Sequence, residues 1–295
     1  MKTSIKTSLL NNSFLLRIYR KVMNVINNMR NRMQYYENEN KLATDNHEYW
    51  NKDYSDSNLA QDAHWKHNGK FNDIYRWQSL GKEHLDLILK YASPLNIQFP
   101  VKQIVEWGCG GGANAVHFAP LTEKFIGIDI TPDSLAECKK QILNHGYNNF
   151  HPVQINATFP EAIYEQKIKG VDLFLCTYVY ELFPSPDYGL NILKIAYKIL
   201  RNGGIAFIQI RYCDNRKGLR PKRWGYKLQP YSMTTYTLEE FWENSKNQGF
   251  EPSGIFLKPY QPLVNDNYYA YYFLKKKCRL KTSIDKVYNE ERLVV

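Results

Sequence analysis

Residues 103–131 read QIVEWGCGGGANAVHFAPLTEKFIGIDIT, and this stretch decides the fold. Residues 103–107 are short and apolar, bounded by Pro100 on one side and glycines on the other, the pattern of a buried parallel strand. Gly108, Gly110, Gly111 and Gly112 form the turn that follows. Glycine lets a backbone take conformations closed to other residues and lets a ligand approach the main chain without meeting a Cβ atom. Residues 113–119 are expected to continue as a helix, and a second apolar run, 125–128, ends at Asp129. A carboxylate at the tip of that strand can accept hydrogen bonds from both hydroxyls of a ribose. Strand, glycine turn, helix, strand and carboxylate in this order specify a nucleotide-type cofactor site.

The flanking sequence continues the alternation. Thr131-Pro132-Asp133 supplies an N-cap, a proline at the first helical position and an acid in the first turn, so a helix is expected over 132–144. Residues 151–155 read as a third strand and 171–176 as a fourth; Ser185-Pro186 then restarts a helix to about residue 200. Asn202-Gly203-Gly204 reads as a turn before a fifth strand at 205–210. Thr237 and Glu240 form a capping box opening a helix that ends near Gly249, and residues 255–257 and 268–274 can pair antiparallel at the end of the sheet. The fold class is α/β: a doubly wound, mostly parallel seven-stranded sheet with an N-terminal helical extension.

Glycine spacing alone leaves the cofactor open, because Gly108-Cys109-Gly110-Gly111-Gly112-Ala113 also satisfies the dinucleotide pattern G-x-G-x-x-G/A. With Glu106, Gly108, Gly110 and Gly112 the segment resembles the [D/E]-x-G-x-G-x-G pattern of the class I methyltransferases that use S-adenosyl-L-methionine, and the resemblance extends over about residues 101–275. It implies that Glu106 lies near the ammonium of the methionine moiety, where a dinucleotide pyrophosphate would be repelled. This disfavours a nicotinamide dehydrogenase. The resemblance further implies that Asp129 holds the ribose, that Ile130 packs on adenine, and that Asn156-Ala157 lies at the adenine amino edge, where the family commonly has Asp-Ala. Cys176 and Thr177 would lie under the methionine portion. Leu200-Arg-Asn-Gly-Gly204 is similar to the family's L-x-P-G-G turn, with Asn202 in place of proline. Residues 63–71 (AHWKHNGKF), 77–81, 106–112 and 178–181 look like a bacterial methyltransferase group associated with surface-glycan gene clusters, which implies a carbohydrate or glycan acceptor methylated on oxygen.

The chain has 295 residues, 43% hydrophobic, enough to bury a full core. It divides into a basic amphipathic extension (1–34), a linker and helical or lid region (35–92), a catalytic domain (93–278) and a tail (279–295). Within the second part, residues 35–62, rich in Asn, Asp and Tyr, read as a linker. The net charge of +10 favours an anionic acceptor. Cys109, Cys138, Cys176, Cys213 and Cys278 show no C-x-x-C spacing and fit reduced packing residues in a cytoplasmic protein better than a disulfide framework or a zinc site. Over residues 1–34 every charge is basic, and apolar residues recur at three- and four-residue steps. Such a helix could lie peripherally on the inner face of an anionic membrane, or pack on its own domain or a partner. Charges interrupt it too often for a membrane span.

Methyl transfer to a hydroxyl requires an in-line lone pair and usually a base to take the proton. Glu181, just after strand four, is the leading candidate for that base or for orienting the acceptor; it could equally bond backbone amides at a helix start. Tyr178 could set its ring beside the sulfonium or be an ordinary buried tyrosine. His64, with His67, could serve as base on a lid formed by 63–71, or remain solvated while Trp65 and Phe71 anchor the segment. His117 reads as structural. No H-x-x-x-H or carboxylate cluster calls for a metal, so metal-free transfer is the default. The basic insertion 211–227 could grip a phosphate or charged glycan through Arg216, Lys217, Arg220, Lys222 and Arg223, with Trp224 and Tyr226 stacking on a sugar face, or be a solvated loop. The same composition keeps open an RNA methyltransferase, although Cys176-Thr-Tyr-Val-Tyr-Glu181 lacks an N/D-P-P-Y/F/W motif. A non-catalytic, membrane-associated binder of the cofactor is the alternative from a different class.

Overall fold

The computed structural model describes residues 13–52, 74–213, 220–228 and 230–277. Five parallel strands, β1 (Val101–Trp107), β2 (Thr122–Asp129), β3 (Phe150–Gln154), β4 (Val171–Cys176) and β5 (Leu200–Arg211), are joined by a hairpin of β6 (Phe250–Gln261) and β7 (Asp266–Lys276). The spatial order is β3-β2-β1-β4-β5-β7-β6, with β7 inserted antiparallel between β5 and β6. The strand order therefore reverses between β1 and β4, and the crevice beyond the carboxyl ends of those two strands is where a doubly wound sheet binds its ligand.

Alternation along the strands builds a core on each face of the sheet. Val105, Ile126, Phe174 and Ile208 pack with α6 (Pro186–Ile199) and with Phe241 of α7 (Leu238–Asn247). Their neighbours Ile104, Phe125, Leu173 and Phe207 pack on the other side with Trp77, Leu80 and Ile88 of α3 (Ile74–Leu95) and with Cys138 and Ile142 of α5 (Pro132–Asn144). α5 begins at Pro132 as expected, although the Thr131 side chain makes no cap bond and its hydroxyl donates to Asp129 instead; Ser185 Oγ accepts the Tyr188 N–H at 3.0 Å to cap α6, and Thr237 and Glu240 close a reciprocal capping box on α7.

Three segments depart from the sequence reading. The helix after the glycine turn is only α4 (Ala115–Phe118), followed by a 3₁₀ turn (Ala119–Leu121), because Pro120 cannot continue the α-helical ladder. The glycine pair at 203–204 is not a turn preceding β5 but an irregularity inside it: the pairing jumps from Val171↔Leu200 to Leu173↔Ile205, with Gly203 at φ +75°. Residues 35–62, read as a linker, contain α2 (Glu39–Asn51), whose N-cap Asn38 accepts from the Asn40 and Lys41 amides. Its buried face, Leu42, Ala43, Asn46 and Tyr49, includes a polar residue, which blurred the apolar periodicity.

Helix α1 (Ser13–Arg32) and α2 are tied to the domain by the basic insertion. The Trp224 indole N–H donates to Asn27 at 2.6 Å, and Tyr226 accepts from Asn46 and Trp50 while donating to Leu182 O at 2.6 Å. Trp224 and Tyr226, expected as stacking surfaces, are buried and used as braces.

Candidate active site

The crevice between β1 and β4 opens into a cavity of about 340 Å³ that takes in the glycine turn, the ends of both strands and parts of α2 and α3. That volume lies in the range of small-molecule sites, about 300–1,000 Å³. Of the expected cofactor residues, Glu106, Gly108, Gly110, Asp129 and Ile130 line it. Gly112, Asn156, Ala157 and Cys176 are not among its lining residues. Gly112, at φ +96°, instead lets the turn approach α5, since a Cβ there would lie 3.2 Å from Cys138 Sγ. Asn156 Oδ1 accepts the amide and hydroxyl of Thr158 at the end of β3, and Ala157 and Cys176 are buried in packing.

Asp129 organises the turn from beneath. Its Oδ2 accepts the Gly110 N–H at 2.9 Å, and its Oδ1 accepts the Thr131 amide at 2.9 Å and hydroxyl at 3.0 Å. One lone pair of Oδ2 remains for a ligand hydroxyl. Above it, Gly110 sits at φ +50°, and a Cβ built on it would meet nothing within 4 Å, so the main chain is open to a ligand on that side.

Glu106 is the centre of a buried network that local sequence does not reveal. Asn114 Nδ2 donates to Glu106 Oε1 at 2.6 Å and to Thr177 Oγ1 at 2.9 Å, which leaves Asn114 Oδ1 facing His84 Nδ1 at 2.7 Å. Because the amide oxygen can only accept, His84 must carry its proton on Nδ1, leaving Nε2 as a lone pair. Among the described residues neither His84 Nε2 nor Glu106 Oε2 has a hydrogen-bond partner, although both are buried. Burial pushes the Glu106 carboxyl up to about 8 against the pull of the Asn114 bond, and pushes His84 down to about 4, so the imidazole is neutral. An orphaned carboxylate oxygen beside an open glycine turn fits a ligand that carries a positive charge.

That protonation state has a measurable consequence. A cationic ligand group favours ionised Glu106, so binding below about pH 8 must expel its proton. Affinity for S-adenosylhomocysteine, which keeps the ammonium, should rise with pH until about 8, with close to one proton released per ligand at pH 7. Calorimetry in buffers of different ionisation enthalpy reads the release, and Glu106→Gln should abolish it. A pH-independent affinity in the wild type would refute this account of Glu106.

On the β4 side, Tyr178 lines the cavity at φ +57°, a conformation that costs a bulky residue of the order of 1–3 kcal/mol. Its amide donates to Gln209 Oε1, while its hydroxyl meets Tyr271 at 3.3 Å and Gln261 at 3.2 Å. Burial raises the phenol well above its ordinary pKa. Glu181 is buried but does not line the cavity; it is grouped electrostatically with Gln209, Arg211 and Asp266, and burial, partly offset by Arg211, brings its carboxyl up to about 7. His117 bonds Gln78 O at 3.0 Å, a structural contact. His64 and the whole 63–71 segment, and Arg216 and Lys217 of the insertion, lie outside the described residues. Lys222 donates to Tyr231 O, and Arg223 lies 3.6 Å from Asp187 and over the Tyr36 ring.

The chain is similar to known methyltransferases. The family model described as a methyltransferase domain matches residues 100–249. The ubiquinone biosynthesis O-methyltransferase of Nitrosomonas europaea is 23% identical over 221 residues, 70% of this chain and 86% of that protein. The protein of the same name from Burkholderia thailandensis is 24% identical over 143 residues, 48% of this chain and 55% of its own length, so that match spans about half of the relative. Among solved structures, an S-adenosylmethionine-dependent methyltransferase from Clostridium acetobutylicum superposes with a TM-score of 0.49 at 14% identity, covering 70% of this chain and 93% of its own. The family match runs from the start of β1 past the end of α7 and so includes Glu106, the glycine turn, Asp129 and Thr177; the chain belongs to the methyltransferase-domain family and is an enzyme that takes its methyl group from S-adenosylmethionine.

Proposed function

We propose that the enzyme methylates a hydroxyl of a carbohydrate or glycan intermediate. The observation that carries this reading is the composition of the cavity wall away from the glycine turn, where the aromatic residues Trp50 and Tyr188 stand beside Asn46, whose amide is held by Leu182 O and Tyr226, and beside Asn51 and Lys52. Aromatic planes against sugar C–H faces, with carboxamides and a cation for hydroxyls and acidic substituents, form a polar acceptor site. The names of the relatives favour a phenolic acceptor as the competing reading, since they are O-methyltransferases of ubiquinone biosynthesis. An RNA acceptor loses its main support, because Trp224 and Tyr226 are buried and cannot stack on bases. Incubation with methyl-labelled S-adenosylmethionine and three acceptor panels, nucleotide-linked sugars with acidic glycans, hydroxylated phenols, and RNA, tests this. Label entering only phenols or only RNA would reject the carbohydrate reading.

When bound, S-adenosylmethionine supplies an electrophilic methyl on a sulfonium. Glu106 would hold its ammonium, Asp129 a ribose hydroxyl and Ile130 the adenine face, while the loop at 177–179 borders the acceptor. The acceptor proton needs a base. Among the described candidates His84 is placed better than Glu181, since it lines the cavity as a neutral imidazole and Glu181 does not line it. The two differ in titration: at saturating cofactor, kcat dependent on His84 stays flat down to about pH 5 and falls toward pH 4, whereas dependence on Glu181 gives a limb near pH 7. His84→Gln should lower kcat by about 10²–10⁴-fold with S-adenosylhomocysteine affinity nearly retained. A limb near pH 7 that Glu181→Gln removes would return the role to Glu181.

A further inference from the structure

Helix α1 meets the described parts of the protein on one side. Asn27 is buried and accepts from Trp224, the Arg30 guanidinium lies 4.3 Å above the Trp224 ring, and Asn31 Nδ2 donates to Pro221 O at 3.3 Å. At about 3.6 residues per turn, Ile18, Val22, Val25 and Met29 fall in one stripe roughly 60° wide on the side away from Asn27, and Met33 follows in the turn after the helix. All five are exposed, from 44% for Ile18 to 74% for Met33. An unbroken apolar row of this kind on a docked helix is not explained by packing among the described residues.

Charge decides what covers it. From residue 1 to 36 every charged side chain is Lys or Arg, and no Asp or Glu occurs. The 4-3-4 spacing could also seat a second copy as a two-stranded seam, but such seams are flanked by Glu–Lys pairs, and here two wholly cationic helices would lie side by side. An anionic lipid surface meets both features at once, taking the apolar stripe into the acyl boundary and the flanking Lys21 and Arg32 against headgroups. No described helix is long and apolar enough to cross a membrane, which leaves an in-plane arrangement as the geometry for α1.

We propose that α1 docks the enzyme on an anionic membrane surface through the stripe from Ile18 to Met29. This would hold the catalytic domain at the bilayer and present it to acceptors there, whatever the acceptor's chemistry. The test is cosedimentation of the full chain with vesicles of phosphatidylcholine alone and of phosphatidylcholine mixed with phosphatidylglycerol, for wild type and for Val25→Asp with Met29→Asp. Both positions are exposed, so the double variant should keep its S-adenosylhomocysteine affinity. The expected result is binding to the anionic vesicles only, weakened by about 0.5 M salt and reduced about a hundredfold or more in the double variant. Absence of binding, equal binding to neutral vesicles, or binding that the double variant retains would overturn the proposal. So would a wild-type dimer that the variant dissolves while neither protein sediments with vesicles.

Discussion

Gly81→Ala should lower the melting temperature and weaken S-adenosylhomocysteine binding together. A Cβ at Gly81 would sit 1.8 Å from Ala113 O and 2.5 Å from Ala113 C, both backbone atoms, so neither can rotate away. Helix α3 must move off the glycine turn, and Asn114 is the next residue along. The cost lies at or above the upper end of ordinary overpacking, about 3 kcal/mol, which for a domain of this size is a fall of roughly 6–12 °C. Helix propensity alone predicts the opposite sign, because alanine is favoured over glycine in a helix interior by about 1 kcal/mol. Thermal unfolding therefore separates the two directly: a raised melting temperature would mean that α3 does not press on the turn. Loss of affinity follows because the shifted turn no longer sets Asn114 against Glu106.

Asp129→Ala should weaken cofactor binding strongly and also lower stability. The substitution strips the acceptor from three donors, the Gly110 amide and the Thr131 amide and hydroxyl, and removes the lone pair proposed to meet the ribose. Hydrogen bonds to a charged acceptor are worth about 1.5–3 kcal/mol each. Because the turn loses its anchor and the ligand its contact, S-adenosylhomocysteine affinity should fall by about a hundredfold or more. Calorimetric titration of wild type and variant measures this, with NADH as control. Unchanged affinity would remove Asp129 from the site, and NADH binding by the wild type would contradict the reading of Glu106.

Continuous local signals made the glycine-turn side of the candidate site legible. β1, the glycines, β2 and Asp129 occupy one stretch in which period, turn chemistry and strand-end acid agree, and Pro132 with the caps at Ser185 and Thr237 placed three helices to within a residue or two. The network that joins His84, Asn114 and Glu106 was hidden because its members are distant in sequence. His84 stands 30 positions from Asn114 and reads as an ordinary polar residue on an amphipathic helix; only the close approach at Gly81 brings it to the turn. A histidine one turn after a glycine on the buried face of α3 was the available signal, and it is a weak one.

The same division holds for the chain as a whole. Backbone geometry and apolar period act over a few residues, so the sequence by itself determined the alternation of strands and helices, the glycine turn and the carboxylates at the ends of β1 and β2. Tertiary structure decided everything that depends on two remote segments sharing space. It set β7 between β5 and β6, turned Glu181 toward Gln209 and Arg211 rather than the cavity, and buried Trp224 and Tyr226 under α1 and α2. It also left the Ile18-to-Met29 stripe facing outward. The physical reason is that an amphipathic pattern names a face without naming its partner, and a side chain's charge state depends on burial that distant residues supply.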